Sequence, residues 1–558
     1  MITRIRPFHL SCILLLAVFP STSVLRADDV HCHVASPHDS TPAEKAFTQG
    51  KFSEAEALYR DAVSKSPHDP ELDAGLVRTL LREQKIDEAS AAAQAALASK
   101  SDSVPVLTAL AEVQYRQGKI AEAAGTADQA LRADRCNARL YLLRARILHL
   151  NSMYASANRA INIAHTLDPY DSEIQGAWVQ TLPLSQRIDQ QKQYIAANTA
   201  MTPEDHKRAE KYLSYLTAEA DNPGKNCHLA SQTTGTEIQL IPLMSGEKVC
   251  PYDFCSGTGK RILGWGLHVF LNNREAGLEV DTGASGLVVS RAVAERSGLK
   301  PDERIQLGGV GDQGPQGGYT AKVDSIRVGQ LEFKDCMVEV TDRKEVVGID
   351  GLIGTDVFSS YLVTLDYPMR KFVLSPLPPR PGDDGVASAT LNTQAASQGA
   401  SASSTHVPLD RYVDPSMKDY TPIFRVGHLL ILPVQLNGKT QRLFTLDSGA
   451  FSSSISPEAA REVTRVHGGS PVAIRGLSGD VAKVSSGDQV VLQFGGIQQA
   501  NNDLFVFDTS GLSRSAGVEL SGFLGNTILR ELATHIDYRD GLVKFDYDMR
   551  HGNHDFSH

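Results

Sequence analysis

The sequence has no surplus of positive charge. Its 558 residues carry 55 Lys and Arg against 65 Asp and Glu, a formal net charge of −10, so no basic field extends over the molecule to hold a nucleic-acid backbone. Long hydrophobic runs are also missing. The apolar run between Leu10 and Phe19 is followed at once by Pro20 and falls short of the roughly 20 residues that a membrane-spanning helix needs, so the mature chain is expected to have no membrane span. A His-Glu-x-x-His helix, the usual mark of a zinc hydrolase, is absent. Aromatic residues make up only 6% of the chain; the 41% hydrophobic and 22% charged content still suits several globular domains and excludes a disordered chain. The 45 glycines and 26 prolines are unevenly spread, the first third being Ala-rich and Gly-poor and the rest showing the frequent turns of short strands. Two kinds of domain are therefore expected.

Residues 1–27 read as a signal peptide: Arg4 and Arg6, then the apolar stretch, then Ser21, Thr22 and Ser23, with cleavage after Ser23 or Ala27 both fitting. The expected setting is an exported protein, periplasmic or secreted. Removing Cys12 with the leader leaves Cys32, Cys136, Cys227, Cys250, Cys255 and Cys336, an even set that permits disulfides in such a compartment. The Cys250 to Cys255 spacing, with Cys227 nearby, points to a local bridge ahead of residue 260. A metal site is the competing reading, because His31, Cys32 and His33 are adjacent and His38 follows. Adjacent side chains rarely converge on one ion, however, and His551, His554 and His558 read as a solvated tail. Neither a metal nor a cofactor is expected.

Small residues recur at a fixed period in the first third. Ala55, Ala89, Ala123 and Ala157 stand 34 apart, as do Ala62, Ala96, Ala130 and Ala164. Gly50, Gln84, Gly118 and Ser152 mark the turn before each second helix, and Pro67 and Pro169 lie three periods apart. The two alanines of each unit are seven residues apart, on one helix face where stacked backbones approach closely. This helix-turn-helix period resembles the tetratricopeptide repeat family, and the resemblance covers residues 41–178. It implies a superhelix with a concave groove that binds peptides or partner proteins; a spacer packed on the rest of the chain is the alternative. Residues 179–222 read as capping helices and 223–260 as a cysteine-containing connector.

From about residue 261 the pattern becomes all-β, with short Val/Ile/Leu/Phe runs between Gly, Asn and Asp turns. One motif occurs twice. Leu278-Glu279-Val280-Asp281-Thr282-Gly283-Ala284 is matched by Phe444-Thr445-Leu446-Asp447-Ser448-Gly449-Ala450. Leu352-Ile353-Gly354 ends 73 residues after Asp281, and Phe523-Leu524-Gly525 ends 78 after Asp447; 12 residues beyond each glycine come Asp366-Tyr367 and Asp537-Tyr538, expected to enter another strand. Two lobes, residues 261–375 and 406–548, are thus joined by a Pro-rich then Ala/Ser/Gln-rich linker at 376–405, with a tail at 549–558.

The doubled Asp-Thr/Ser-Gly-Ala with its trailing apolar-apolar-Gly element resembles the aspartic proteases, the Ala being closest to their retropepsin-like branch and the two lobes in one chain similar to the pepsin-like arrangement. A single Asp-Thr/Ser-Gly is expected by chance about 0.3 times in a chain of this size; the repeated context makes chance a poor account. The resemblance implies an endopeptidase with a catalytic dyad, Asp281 and Asp447, acting on a peptide or protein without a cofactor. Thr282 and Ser448 would bond across the lobes, Gly283 and Gly449 would turn the loops tightly, and Gly354 and Gly525 would pack beneath them. Gly309, Val310 and Gly311 in the first lobe and Gly476, Leu477 and Ser478 in the second would form flaps over a bound peptide, a plain surface turn being the alternative. Gly309, Gly311 and Gly314 also match a dinucleotide fingerprint, but Pro315, Gly317 and Gly318 follow where a helix should open. Asp366 and Asp537 read as surface or turn carboxylates. Thr355-Asp356 and Asn526-Thr527 stand where many single-lobe retropepsins carry an Arg. A noncatalytic peptide-binding scaffold is the competing function.

Such a pair suits hydrolysis for a physical reason. Two carboxyls about 3 Å apart cannot both ionise, so they share one proton over a broad acidic range; one form activates water while the other hydrogen-bonds the carbonyl oxygen.

Overall fold

The computed structural model describes residues 5–7, 32, 34, 41–99, 102–197, 203–221, 227–248, 260–342, 350–381, 409–469 and 474–547. The Cys250 to Cys255 bridge, His31, His33, His38, the C-terminal histidines and most of the linker lie outside these residues. So does the leader, apart from the strand Ile5–Pro7, whose backbone pairs with Ile497–Asn501.

The first half is a stack of helix pairs: Pro42–Thr48 with Phe52–Lys65, Pro70–Arg82 with Ile86–Ser99, Val104–Arg116 with Ile120–Ala133, and Ala138–Leu150 with Tyr154–Leu167. Ser172–Thr181, Leu184–Ala197 and Pro203–Asp221 follow. Thr41, Asp69, Asn137 and Asp171 start their helices by accepting backbone N–H groups. Ala55, Ala89, Ala123 and Ala157 are fully buried where the helices meet. The turn residues Gly50, Gln84, Gly118 and Ser152 all have positive φ, +74°, +63°, +72° and +57°. The repeat therefore dictates a left-handed turn even where no glycine supplies it.

The array is not free of the rest. Leu107, Ala111, Ile120, Leu143, Ile147 and Leu150 share one buried cluster with Leu429, Ile431, Leu443, Val518 and Leu520 of the second lobe. Glu519 N–H donates to the Arg116 carbonyl at 2.9 Å, and Asp410 accepts from the Ser156 N–H at 2.8 Å.

The two lobes repeat one plan. The strand Arg274–Asp281 lies parallel to Gly351–Gly354, with Gly354 opposite Asp281, and Thr440–Leu446 lies parallel to Gly522–Leu524. Beneath them a six-stranded sheet takes strands from both lobes, Tyr361–Asp366 pairing antiparallel with Ala533–Asp537. The lobes are thereby joined within one chain. Asp366-Tyr367 and Asp537-Tyr538 end these strands rather than enter new ones. Asp366 is a turn carboxylate that accepts the Met369 N–H, but Asp537 is wholly buried, contrary to a surface reading, and accepts the Asp540 N–H.

Disulfides join Cys32 to Cys136 and Cys227 to Cys336. Cys227 pairs across 109 residues with a core strand, not locally, because the connector runs back along Leu331–Thr341. Closing a loop of that length restrains the unfolded chain, so replacing Cys227 and Cys336 together by serine is expected to lower stability by about 4 kcal/mol. Urea unfolding of the mature protein measures this; a loss under about 1 kcal/mol would contradict it.

Candidate functional site

Each Asp-Thr/Ser-Gly loop leaves its strand at the seam between lobes, and the two loops grip each other reciprocally. Thr282 Oγ1 donates to the Leu446 carbonyl and Ser448 Oγ to the Val280 carbonyl, both at 2.9 Å. The Ser448 N–H donates to Thr282 Oγ1 at 2.9 Å and the Thr282 N–H to Ser448 Oγ at 3.0 Å. Both residues are buried, at 1% and 3% exposure, so these bonds are shielded from competing water. The Thr/Ser difference leaves the grip unchanged because only the hydroxyl is used.

This frame brings Asp281 and Asp447 together. Their carboxyls hydrogen-bond to each other, and both residues are half-buried. Asp281 Oδ1 accepts the Gly283 N–H at 2.7 Å and Asp447 Oδ1 the Ala450 N–H at 2.8 Å. Burial pushes Asp281 above the usual carboxylate range against the pull of these N–H donors; Asp447 is driven well above it by burial and by the charge of Asp281. The pair therefore holds a proton at pH values where separate aspartates would not.

The glycines are demanded by close approach. A Cβ on Gly283 would lie 2.6 Å from Asp447 Cγ, and one on Gly449 2.5 Å from Asp281 Oδ2. Gly449→Ala is expected to part the carboxyls and to move the raised titration of Asp447 toward the ordinary aspartate range, read by carboxyl ¹³C signals with the circular dichroism spectrum unchanged; an unmoved titration would show that the loop has room to spare. Gly354 and Gly525 do pack beneath the loops, where a Cβ would meet the Ala284 and Ser452 backbones at 2.6 and 2.4 Å.

The glycine-rich tips are also brought together. The loop between Pro301–Leu307 and Gln316–Val328 meets the small hairpin of Arg475–Gly476 with Gly479–Asp480. The Ser478 N–H donates to the Val310 carbonyl at 2.9 Å, the Gln313 N–H to the Ser478 carbonyl at 2.8 Å, and the Gly309 N–H to Ser478 Oγ at 3.1 Å. Gly311, at φ +128°, has Ser478 backbone 2.4 Å from where a Cβ would be. Leu477 crosses to pack on Val288, Leu307 and Leu352 of the first lobe beside Ala284. Joined in this way, the tips bridge the lobes above the Asp281 loop.

Three residues here escaped the sequence reading. Asp356, two residues after Gly354, is buried and accepts from Ser285 Oγ at 2.8 Å and the Gly286 N–H at 3.1 Å, fixing the Asp281 loop from below. Burial raises its carboxyl to about 6. His428 of the second lobe hydrogen-bonds the Gly283 backbone, and burial lowers its imidazole to about 4, keeping it neutral. Glu279 is buried beside the pair. The acid in Gly-Thr-Asp was a visible signal for the first; the contact of His428 joins segments remote in sequence and left none.

Residues 267–357 match a family model described as aspartyl protease. The chain carries an aspartyl protease domain. The match includes Asp281 and stops short of Asp447, so the second lobe is placed by its own geometry. Residues 46–102 and 108–172 match two tetratricopeptide repeat models, as the helix pairs require. An aspartic proteinase from Irpex lacteus is similar at 11% identity over 58% of this chain and 100% of its own, with a TM-score of 0.32. A thermophilic tetratricopeptide repeat protein from Thermus thermophilus is similar at 20% identity over 32% of this chain and 95% of its own, with a TM-score of 0.26. No curated protein matches the chain.

Away from the protease domain, the repeats carry a cavity of about 260 Å³ lined by Glu44, Tyr59, Arg78, Glu112, Asn137 and Arg139. Arg78 pairs with Glu44 within the lining, and Arg139 pairs with Asp171 outside it. Among the described residues no group of three His, Cys, Asp or Glu side chains is placed to hold a metal, and no helix is long and apolar enough to cross a membrane.

Proposed function

We propose that the protein is an exported aspartic endopeptidase in which Asp281 and Asp447 activate water against a peptide bond. The observation that carries the reading is the reciprocal Thr282/Ser448 frame, which holds two carboxyls in hydrogen-bond contact across two lobes of one chain. The pair's ionised form takes a proton from water as its oxygen attacks the carbonyl carbon. The protonated form hydrogen-bonds the carbonyl oxygen, and a proton returns to the leaving nitrogen as the C–N bond breaks. Products are one carboxylic acid and one amine, and the pair regains its single shared proton. The assignment of the steps belongs to the pair rather than to either residue.

The tips at Gly309–Gly311 and Gly476–Ser478 act as flaps: a substrate enters when their mutual hydrogen bonds part, and their return excludes water from the cleft. The repeats, fixed to the second lobe, offer a protein-interaction surface that moves with it. Export is supported by the leader pattern and by two disulfides, which persist in oxidising compartments.

The test is a random peptide library incubated with the mature chain between about pH 3 and 7, with new termini read by mass spectrometry. Cleavage with an acidic optimum is expected. A folded protein that binds peptides and leaves them intact would favour the scaffold function instead.

A further inference from the structure

The cavity of the repeats lies mainly on the helices that open each unit, Pro42–Thr48, Pro70–Arg82, Val104–Arg116 and Ala138–Leu150. One position of the 34-residue period alternates in sign along them: Glu44, Arg78, Glu112 and Arg146. Three of the four have close partners. Arg78 pairs with Glu44, which also accepts from the Tyr59 hydroxyl at 2.7 Å, and Arg146 reaches Glu173 at 3.3 Å. Glu112 is the exception. It is 8% exposed, its side chain makes no hydrogen bond among the described residues, and its one ion-pair contact there is Arg139 at 4.0 Å.

That contact leaves Glu112 short of positive charge. Arg139 is held more closely by Asp171 and also stands 3.6 Å from Glu173. Within the lining, the three carboxyls of Glu44, Glu71 and Glu112 face the two guanidiniums of Arg78 and Arg139. A buried carboxylate without a hydrogen-bond donor is costly, and burial raises Glu112 above the ordinary glutamate range. Beside it the cavity, about 260 Å³, is walled by Leu72, Ala74, Pro105 and Ala109. These walls suit an aliphatic chain, and Glu112 suits a cation at its end. Thr108, one helical turn before Glu112, donates its hydroxyl to the Val104 carbonyl at 2.8 Å and keeps its lone pairs as a second acceptor. A lysine side chain has the matching form, an apolar stem ending in a compact ammonium with three donors. The five donors of a guanidinium would outnumber the acceptors.

We propose that this cavity binds a lysine side chain of a peptide or protein partner, Glu112 holding the ammonium while the apolar walls pack its stem. The site stands apart from the carboxyl pair and does not depend on the protease reading. Glu112 belongs to Val104–Arg116, whose Leu107 and Ala111 pack on the second lobe. A chain caught by its lysine is therefore tethered to that lobe.

Random peptides blocked at both ends, with lysine, acetyl-lysine, arginine or norleucine fixed at the centre, test this on the immobilised mature chain, Asp281→Asn keeping the probes whole. At pH 7 the lysine set is expected to be retained at least about tenfold over the acetyl-lysine and norleucine sets, and ahead of arginine. Glu112→Gln is expected to abolish the preference with the circular dichroism spectrum unchanged. Equal retention of lysine and acetyl-lysine overturns the proposal, and so does arginine retained ahead of lysine. A lysine preference that survives in Glu112→Gln also overturns it, because the net negative charge of the chain then accounts for the retention. The Glu112 carboxyl ¹³C signal gives a readout that does not need the variant. It is expected to move on addition of Nα-acetyl-lysine amide and to stay in place with the norleucine analogue. A signal that responds alike to both, or to neither, overturns the proposal even if Glu112→Gln fails to fold.

Discussion

Asparagine at either Asp281 or Asp447 is expected to lower kcat for peptide hydrolysis by about 10³-fold or more and, at pH 7, to raise the melting temperature rather than lower it. The first effect follows because an amide can neither take a proton from water nor share one with its neighbour. The second follows from what holds the pair in place. Both carboxyls lie above their usual range through burial, and Asp447 also through the charge of Asp281, so near neutral pH their charge is a strain on the folded state. An asparagine Oδ1 still accepts the Gly283 or Ala450 N–H, and the Thr282/Ser448 grip does not use the carboxyls at all. Steady-state kinetics and thermal unfolding of the same samples check both. Activity above about a tenth of wild type in either variant would remove that residue from the chemistry, and a clear drop in melting temperature would contradict the electrostatics.

The lobes are expected to be less stable at pH 7 than at about pH 4.5, by roughly 3 kcal/mol or more. Burial raises Asp356 to about 6, and burial with the nearby Asp540 raises Asp537 to about 6; Glu279, Asp281 and Asp447 are raised as well. A carboxyl whose folded value lies above its unfolded one binds its proton more tightly in the native state. Its contribution is complete below the unfolded value, near 4, and is lost as pH rises through the folded value. Asp356 alone, raised to about 6, accounts for about 2 kcal/mol between these two pH values. His428, lowered to about 4, and His535, lowered by burial, act in the opposite direction over a similar range, so the five carboxyls prevail over two histidines. The repeats hold carboxyls shifted both ways: Lys85, Glu83 and Arg60 hold Glu56 down to about 2, whereas burial raises Glu112, Glu71 and Asp73. The two tryptophans divide the readout, Trp178 lying in the repeats and Trp265 in the first lobe. Fluorescence-detected melting in a Trp178→Phe background follows the lobes, and a melting temperature that rises from pH 4.5 to 7 would contradict the argument.

Much of this architecture can be read along the chain because it is periodic or duplicated. The alanines at a 34-residue period become the buried helix contacts, and the four turn positions share one left-handed conformation although only two are glycine. The doubled Asp-Thr/Ser-Gly-Ala locates both loops, since each residue type is needed for a contact made within its own repeat or with the symmetry-related one. What the sequence hides is contact without periodicity. The Cys227 to Cys336 bridge depends on where the connector returns to the sheet. The Asp-Tyr pairs end strands because the interlobe sheet is built from the residues before them. His428 reaches Gly283 only after the lobes close, and nothing about Glu279 in a strand pattern says that its neighbours at 264 and 266 leave room for a carboxyl beside two others. Asp537 reads as a turn residue, and the structure keeps that turn but buries it under the second lobe.

The central claim is that one chain closes one pair of carboxyls through its own two lobes. It is tested most directly by kcat/KM at the acid optimum for Asp281→Asn, Asp447→Asn, the double variant, and an equimolar mixture of the two single variants. Residues that act as a unit lose nearly everything at the first substitution, so each single variant is predicted to be as inactive as the double, and the mixture no more active than its parts. Substantial turnover in one single variant would show that the aspartates do not share one site, and recovery on mixing would show that lobes from different chains complete it.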